Sequence, residues 1–561
     1  MRFVSGGGRT NRWLVWPLVS CAMLSYGQNS LDIDLDLDRS LYRDSEAIMG
    51  EGGIESNSRN VFEKLSVIGA IETAVANNSQ LRLARLATAG SRENISVEEG
   101  QFDSLLSASA SYKSSEDPSP IQDANGGLVD VIGVDGESYL FDSTVQKRLK
   151  SSPIVSFGVT SDGAARDFEG RRIDEVGRSA LGLSITFPLW QGRGRYLTTL
   201  PIELAKLDYE ASQRDLYYQV DLLALQTVTD YWRYRGAVDS LGILRETREQ
   251  SEKTVENVQK LIDLHELPRS ELGLVEAQLA QRRSSLLSGE QSVIDAKNAL
   301  ATSMGVILPP TTPEQDNPVD ELATPSDAVK KLGGINELEL LDSIKEFRDD
   351  FLAVTKRLDL AEKQVELAKD ATRPDLDLVF AGNVKTYDDE QALFRSATGP
   401  TFGPDWEVRL DFLWAPGQTS NKARQRITEL SRQQRRYELM ELERSTRANL
   451  KATIFALQQS QLRYREAQER VSLNQKNLQN ERRKVRLNAG TVLDVLNVQD
   501  RLLVSELDLI QEQVNYSIVL AQLRFLSGRM TSGEGNSIKL ADLQRGEDLF
   551  NDVLSVGGQR P

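Results

Sequence analysis

The sequence predicts a mainly α-helical chain with a transmembrane β-barrel part, built by internal duplication. Three observations lead there. Four short segments alternate apolar and polar residues: Leu106/Ala108/Ala110/Tyr112, Leu181/Leu183/Ile185/Phe187/Leu189, Leu376/Leu378/Phe380 and Trp406/Val408/Leu410/Phe412/Trp414. The long segments around them carry apolar residues spaced by seven, and the order helix, strand pair, helix occurs twice. Period-two alternation makes one face of a strand apolar and the other polar. The polar positions include Asp375, Asp377, Glu407 and Asp411, which suit a water-filled lumen with lipid on the opposite face.

Composition limits the alternatives. Of 561 residues, 27% are charged and 39% hydrophobic, so no bilayer-spanning helix is expected. The longest apolar run, Trp13 to Leu24, falls short of the ~20 residues a spanning helix needs. It follows Arg2, Arg9 and Arg12 and precedes Ser25-Tyr26-Gly27, the layout of a secretory signal peptide over residues 1–27. Leu18-Val19-Ser20-Cys21 offers a rival, a lipobox with Cys21 as the lipidated residue; the other reading places Cys21 inside the apolar core of the signal. Cys21 is the only cysteine, so no intrachain disulfide can form. Removing residues 1–27 takes three arginines and no acid, moving the net charge from −16 to −19. Such an acidic chain lacks the basic footprint that nucleic-acid binding requires.

Residues 28–60 read as an acidic linker, with like charges on every polar position of Leu31 to Asp38. A first helix–strand–strand–helix repeat is expected over 61–305. Its opening helix runs from about Phe62 to Glu99, and its strands cover about 102–113 and 179–190. Between them, 115–178 reads as a long Gly-, Asp- and Ser-rich loop, within which Val155 to Val159 fits a short strand. Pro188 and Gln191-Gly192-Arg193-Gly194 end the second strand. A helix over about 198–264 would span roughly 100 Å before Pro268 breaks it. The returning helix carries Leu272, Leu279, Leu286, Val293 and Leu300 at strict sevens, a coiled-coil seam.

Pro309-Pro310 and Pro313 open a linker over 306–335, and the second repeat covers 336–530. A helix over about 337–372 leads to strands at about 375–387 and 405–414, joined by a shorter loop. A helix of about 418–488 places Leu450, Leu457, Tyr464, Val471, Leu478 and Val485 on one line. Gln461, Gln468 and Gln475, also at sevens, form either a hydrated lumen face or a polar seam. Asn488-Ala489-Gly490 reverses the chain, with Gly490 expected as the left-handed cap. The last helix carries Leu496, Leu503 and Ile510 on one line, and 531–561 reads as a polar tail. Trp190, Trp406 and Trp414, near predicted strand ends, fit an interfacial aromatic belt.

Four strands cannot close a barrel, since the smallest need about eight, and an open edge in lipid leaves backbone groups unsatisfied. Three chains would supply twelve strands and six would supply twenty-four. The helices are also too long to bury themselves in one domain.

In this setting the sequence resembles the TolC-like outer-membrane efflux family over about 61–530. The opening Ala70-Ile71-Glu72-Thr73-Ala74-Val75-Ala76-Asn77-Asn78-Ser79-Gln80-Leu81 is similar to the family's opening, with Ser79 where proline is usual. Phe187-Pro188-Leu189-Trp190-Gln191-Gly192 resembles its strand end, and Ala489-Gly490-Thr491-Val492-Leu493-Asp494-Val495-Leu496 its helix–turn–helix tip. The resemblance implies a homotrimer whose twelve-stranded barrel, four strands per chain, crosses outer-membrane lipid and continues as a long periplasmic α-helical barrel. It implies a periplasmic adaptor docking at the tips, Leu267, Pro268 and Arg269 in one and Ala489, Gly490 and Thr491 in the other, and an inner-membrane pump behind it. It also implies a constriction after the second tip. Asp494 matches the family's first aspartate there; Asn497 stands at the second, leaving one acidic ring instead of two. The alternative for Asp494 is that it favours the first turn of its helix.

Enzymatic chemistry finds no footing. His265 is the sole histidine, no phosphate-cradling glycine loop follows a strand, and no Cys/His metal spacing occurs; no cofactor is expected. The resulting expectation is the exit duct of a tripartite efflux pump for small molecules. The alternatives are a duct for type I protein secretion and, in a different class, a periplasmic coiled-coil scaffold without a pore.

Overall fold

Seven-residue apolar spacing becomes paired helices in the computed structural model, which describes residues 65–122, 125–168, 171–174, 177–307, 318–325, 337–388, 401–487, 489–528, 530–534 and 537–540. The signal peptide, Cys21 and the acidic linker lie outside these residues. The first half contains α1 (Val67–Asn77), α2 (Ser79–Glu99), α3 (Arg195–Asp263) and α4 (Ser270–Met304). The second contains α5 (Glu337–Phe347), α6 (Asp349–Asp370), α7 (Thr419–Arg486) and α8 (Val492–Leu526). The duplication is visible in the lengths: 11 and 11, 21 and 22, 69 and 68, 35 and 35 residues. At 1.5 Å per residue α3 and α7 each extend about 100 Å.

Each expected opening helix is broken in two. At Asn78 the side-chain carbonyl accepts the Gln80 and Leu81 amides at 2.9 and 3.3 Å, capping α2. Ser79 thus occupies the first helical position, where proline is well tolerated. The second break is at Arg348, whose guanidinium grips Asp350 at 2.9 and 2.6 Å. A left-handed glycine ends the helix facing each break. Gly305 and Gly528 both have φ of 69°. A Cβ on Gly305 would lie 2.8 Å from the Asn77 carbonyl oxygen, and one on Gly528 3.1 Å from Arg348 Cα. Positive φ and close backbone approach both call for glycine.

The seams bury their predicted lines. Ile71, Val228, Tyr231, Tyr234, Val293, Leu300 and Met304 form the core where α1, α3 and α4 meet. Ile344, Phe351, Leu450, Leu457, Tyr516 and Leu520 form its counterpart among α5 to α8. Each such side chain contributes about 1.5–3 kcal/mol when fully buried. Part of the 306–335 linker crosses this region: Asp320 accepts the Val67 amide at 2.6 Å, and the Ala323 amide donates to Ser517 at 3.1 Å. On the glutamine line Gln461 is buried, whereas Gln468 and Gln475 are exposed.

The sheet departs from expectation. Strands β1 (Ser104–Gln122), β2 (Leu128–Arg148), β3 (Ile154–Phe168), β4 (Arg171–Asp174), β5 (Gly177–Pro188), β6 (Asp375–Asp388) and β7 (Thr401–Leu413) form one antiparallel sheet. Its order is β1-β2-β3-β5-β6-β7, with the short β4 beside β3. Segment 115–178 is therefore not a loop but mostly strand, and each chain contributes six long strands instead of four. The physical reason is that Gly, Ser, Thr and Asp are admissible on a wet sheet face, so their abundance did not exclude strands. Trp406 falls inside β7, opposite Gly382, not at a strand end. The tail begins with a hairpin, β8 (Thr531–Glu534) and β9 (Ser537–Leu540); residues 541–561 lie outside the description.

Candidate functional site: an amphipathic sheet and two helical tips

The register aligns the apolar positions of all six long strands on one face. One row reads Leu106, Val145, Phe157, Leu183, Gly382, Trp406 across the sheet. These side chains are open in the single chain: Leu106 is 66% exposed, Leu183 50% and Trp406 80%. The opposite face carries Ser107, Thr144, Gly158, Gly182, Asn383 and Asp405 in one such row. Asp377 stands directly across from Asp411, and Arg409 Nε holds Asp411 at 2.9 Å. A soluble sheet with its apolar side bare would aggregate; with lipid on that side and water on the other, both faces are satisfied. Trp190 meets Phe412 edge to face at 6.2 Å at the helix-side end of this apolar face.

The helical ends are built by backbone capping. At the first tip α3 closes with the His265 amide on the Ile262 carbonyl and the Glu266 amide on Leu261, both at 2.9 Å. His265 takes the left-handed position, φ 61°, which defines a Schellman cap. The sole histidine thus serves the backbone. Pro268 and Arg269 are exposed and immediately precede α4, while Leu267 is half-buried against Val258, Val275 and Leu496. Ile262, Asp263 and His265 to Arg269 line an open groove of about 650 Å³.

The second tip repeats the six-to-one bond, Ala489 N–H to the Lys484 carbonyl at 2.8 Å. Gly490 is not the left-handed residue expected. It is needed for space, since a Cβ there would come 3.0 Å from Lys484 Cβ. Thr491 and Asp494 form a reciprocal capping box: Thr491 Oγ1 accepts the Asp494 amide at 3.2 Å, and Asp494 Oδ2 accepts the Thr491 amide at 3.2 Å and its hydroxyl at 2.7 Å. These bonds, with Lys484 nearby, hold the Asp494 carboxyl below the usual carboxylate range. Asp494 and Asn497 are both exposed. Nearby, Asp500 clamps Gln278 and the buried Arg282, tying α8 to α4. Sequence reasoning missed this clamp, which joins residues more than 200 positions apart with no shared motif.

Among the described residues no helix is long and apolar enough to cross a membrane, which leaves a barrel untouched. Among the same residues no group of three or more His, Cys, Asp or Glu could hold a metal ion.

No family model matches the chain, and no curated protein matches it. Solved structures do. CusC, described for the conformational changes accompanying folding and transmembrane channel formation, is 17% identical with a TM-score of 0.60, covering 85% of this chain and 95% of its own. The CmeC outer-membrane channel of Campylobacter jejuni is 13% identical, TM-score 0.60, covering 85% and 88%. The MtrE outer-membrane channel of Neisseria gonorrhoeae, in its open state, is 18% identical, TM-score 0.56, covering 82% and 88%. The duplicated helical hairpins, the amphipathic sheet and these likenesses together place this chain in the fold of the TolC-like outer-membrane channels.

Proposed function

We propose that this chain is an outer-membrane exit duct, assembled as a homotrimer, through which solutes leave without chemical change. The observation that carries the reading is the continuous apolar face across six strands, backed by a polar face holding Asp377, Arg409 and Asp411. The long helical hairpins then form the periplasmic conduit. Their tips, Leu267-Pro268-Arg269 and Ala489-Gly490-Thr491, receive a periplasmic adaptor that connects to an inner-membrane pump, and the cargo is small molecules selected by that pump. Asp494 and Asn497 ring the narrow end. The capping box and the ring are compatible roles for Asp494, because a carboxylate held ionised at a helix start presents charge to whatever passes.

The test is single-channel conductance of the purified mature protein in planar bilayers, with its mass measured on the same sample. A trimeric mass with a discrete, cation-sensitive conductance supports the duct; a monomer or coiled-coil dimer without conductance replaces it with the scaffold. Asp494→Ala should raise conductance or relieve cation block. Unchanged single-channel behaviour confines Asp494 to its capping role.

A further inference from the structure

We propose that three copies of this chain close a barrel of eighteen strands, with β1 of one copy pairing with β7 of the next, so that the hairpin β2–β3 widens the exit. This rests on the outer-membrane reading above.

The hairpin belongs to the wall. Strand β5 pairs with β3 from Ile154↔Thr186 to Asp162↔Arg178, and β3 pairs with β2 from Asp135↔Asp167 to Arg148↔Ile154. β1 is therefore separated from β5 by two full strands. The β2–β3 turn lies at the base, where the sheet meets the helices. Leu149 N–H donates to the Pro153 carbonyl at 2.8 Å, and Ser152 Oγ to the Gly192 carbonyl at 2.8 Å, in the turn that follows β5. Lys150 Nζ lies 5.9 Å from the Phe102 ring centre, just before β1. A surface excursion would have no reason to return to this level.

Its alternation also matches the wall. Tyr139, Phe141 and Val145 of β2 and Phe157 and Val159 of β3 fall in register with the apolar positions of β1 and β5. Asp142, Thr144, Ser156 and Thr160 fall with the polar ones. At 21 and 15 residues both strands exceed the ~9–11 needed to cross a bilayer.

The partner is a second copy because the two edges are made for each other. Among the described residues β1 pairs only with β2 and β7 only with β6. Six strands is an even number, so the two edges run antiparallel and can join without a parallel seam. An open edge in lipid is costly. The helices below follow the same order: α2 packs on α3, α3 on α6 and α6 on α7. The outer columns are thus α2, leading into β1, and α7, leaving β7. Both carry bare apolar side chains, Leu83 and Leu86 on α2, Ile427, Leu430 and Tyr437 on α7. Head-to-tail contact of this kind closes a ring. With strands ~4.8 Å apart and tilted ~40°, eighteen strands enclose a backbone diameter of roughly 36 Å, against roughly 24 Å for twelve.

The test uses single cysteines in the full mature chain, with the parent protein, which has no free thiol once residues 1–27 are removed, labelled in parallel as the blank. Val145→Cys and Val159→Cys probe the outward face of the hairpin, Thr144→Cys and Ser156→Cys its inward face, and Val408→Cys on β7 is the outward reference. Trimers in lipid nanodiscs are treated with a membrane-impermeant maleimide. The expected result is labelling at Thr144→Cys and Ser156→Cys at least tenfold faster than at Val145→Cys, Val159→Cys and Val408→Cys. Rapid labelling at Val145→Cys and Val159→Cys with Val408→Cys still protected overturns the eighteen-stranded wall and leaves the membrane reading standing. Rapid labelling at Val408→Cys as well removes the membrane reading and the proposal with it. Strand counting by electron cryomicroscopy of the unmodified trimer decides independently of any variant: eighteen supports the proposal, twelve refutes it.

Discussion

Placing arginine at Leu183 tests the orientation of the whole sheet. Leu183 lies between Phe157 on β3 and Gly382 on β6, with its side chain on the apolar face and 50% exposed in the single chain. On a lipid-facing position near the midplane, arginine costs about 2–4 kcal/mol. That is about 30- to 700-fold in the assembly equilibrium per chain. In the proposed homotrimer each of the three chains carries the change, so the assembled barrel is disfavoured by about 6–12 kcal/mol. Ser184→Arg, one residue along, turns the same charge into the lumen and should be nearly neutral. The assay is the fraction of heat-resistant trimer recovered on lipid vesicles, with the urea midpoint of each variant. If Leu183→Arg assembles as well as Ser184→Arg, or better, the assignment of faces is wrong.

Further expectations concern the helical part. Gly305→Ala should lower stability by at least the ~1–3 kcal/mol of a strained left-handed residue, because its Cβ would also press on the Asn77 backbone. Gly242→Ala, inside α3 with open space around it, should instead stabilise by about 0.5–1 kcal/mol; equal melting temperatures for the two would refute the distinction. Leu457→Ala empties a fully buried position on the α7 seam and should cost about 2–5 kcal/mol in chemical denaturation, whereas a cost under 1 kcal/mol would contradict the packing. Burial pushes the Tyr234 phenol up to about 12 and raises that of Tyr231 as well. A raised folded value means the neutral phenols contribute fully below about pH 10, the unfolded value, and that this contribution is lost as pH rises through about 12. Phenolate absorbance should show these two rings ionising only as the helices melt, and Tyr234→Phe should move that transition upward.

The helices were legible because a seven-residue period survives any surface composition: Leu279, Val293, Leu300, Leu450, Leu457 and Leu478 are all buried as their spacing predicted. The breaks at Asn78 and Arg348 were not, since an apolar stripe continues smoothly across a one-residue interruption. Asn78 carried a capping signal; Arg348 carried none. The strand faces were readable where Asp and Glu marked the wet side, as in β6 and β7. They were missed in β2, β3 and outer β1, where Gly, Ser and Asp look like loop residues; outer β1 also carries Pro118 and Pro120. An edge strand tolerates proline. At the tips, motif likeness located Asp494 and Gly490, but the capping box and the clamp on Asp500 required coordinates.

The pairing of β5 with β6 sets the order in which this chain can mature. Partners in that ladder, Gly177↔Asp388 to Pro188↔Asp377, lie 211 to 189 positions apart, with the entire α3–α4 hairpin between them. The first five strands form a meander of short connections that can assemble early, but its β5 edge stays open until the second half is synthesised. Contacts of such long sequence separation form slowly, and an unpaired amphipathic edge invites wrong partners meanwhile. The extra hairpin β2–β3 enlarges that waiting surface relative to a two-stranded first half.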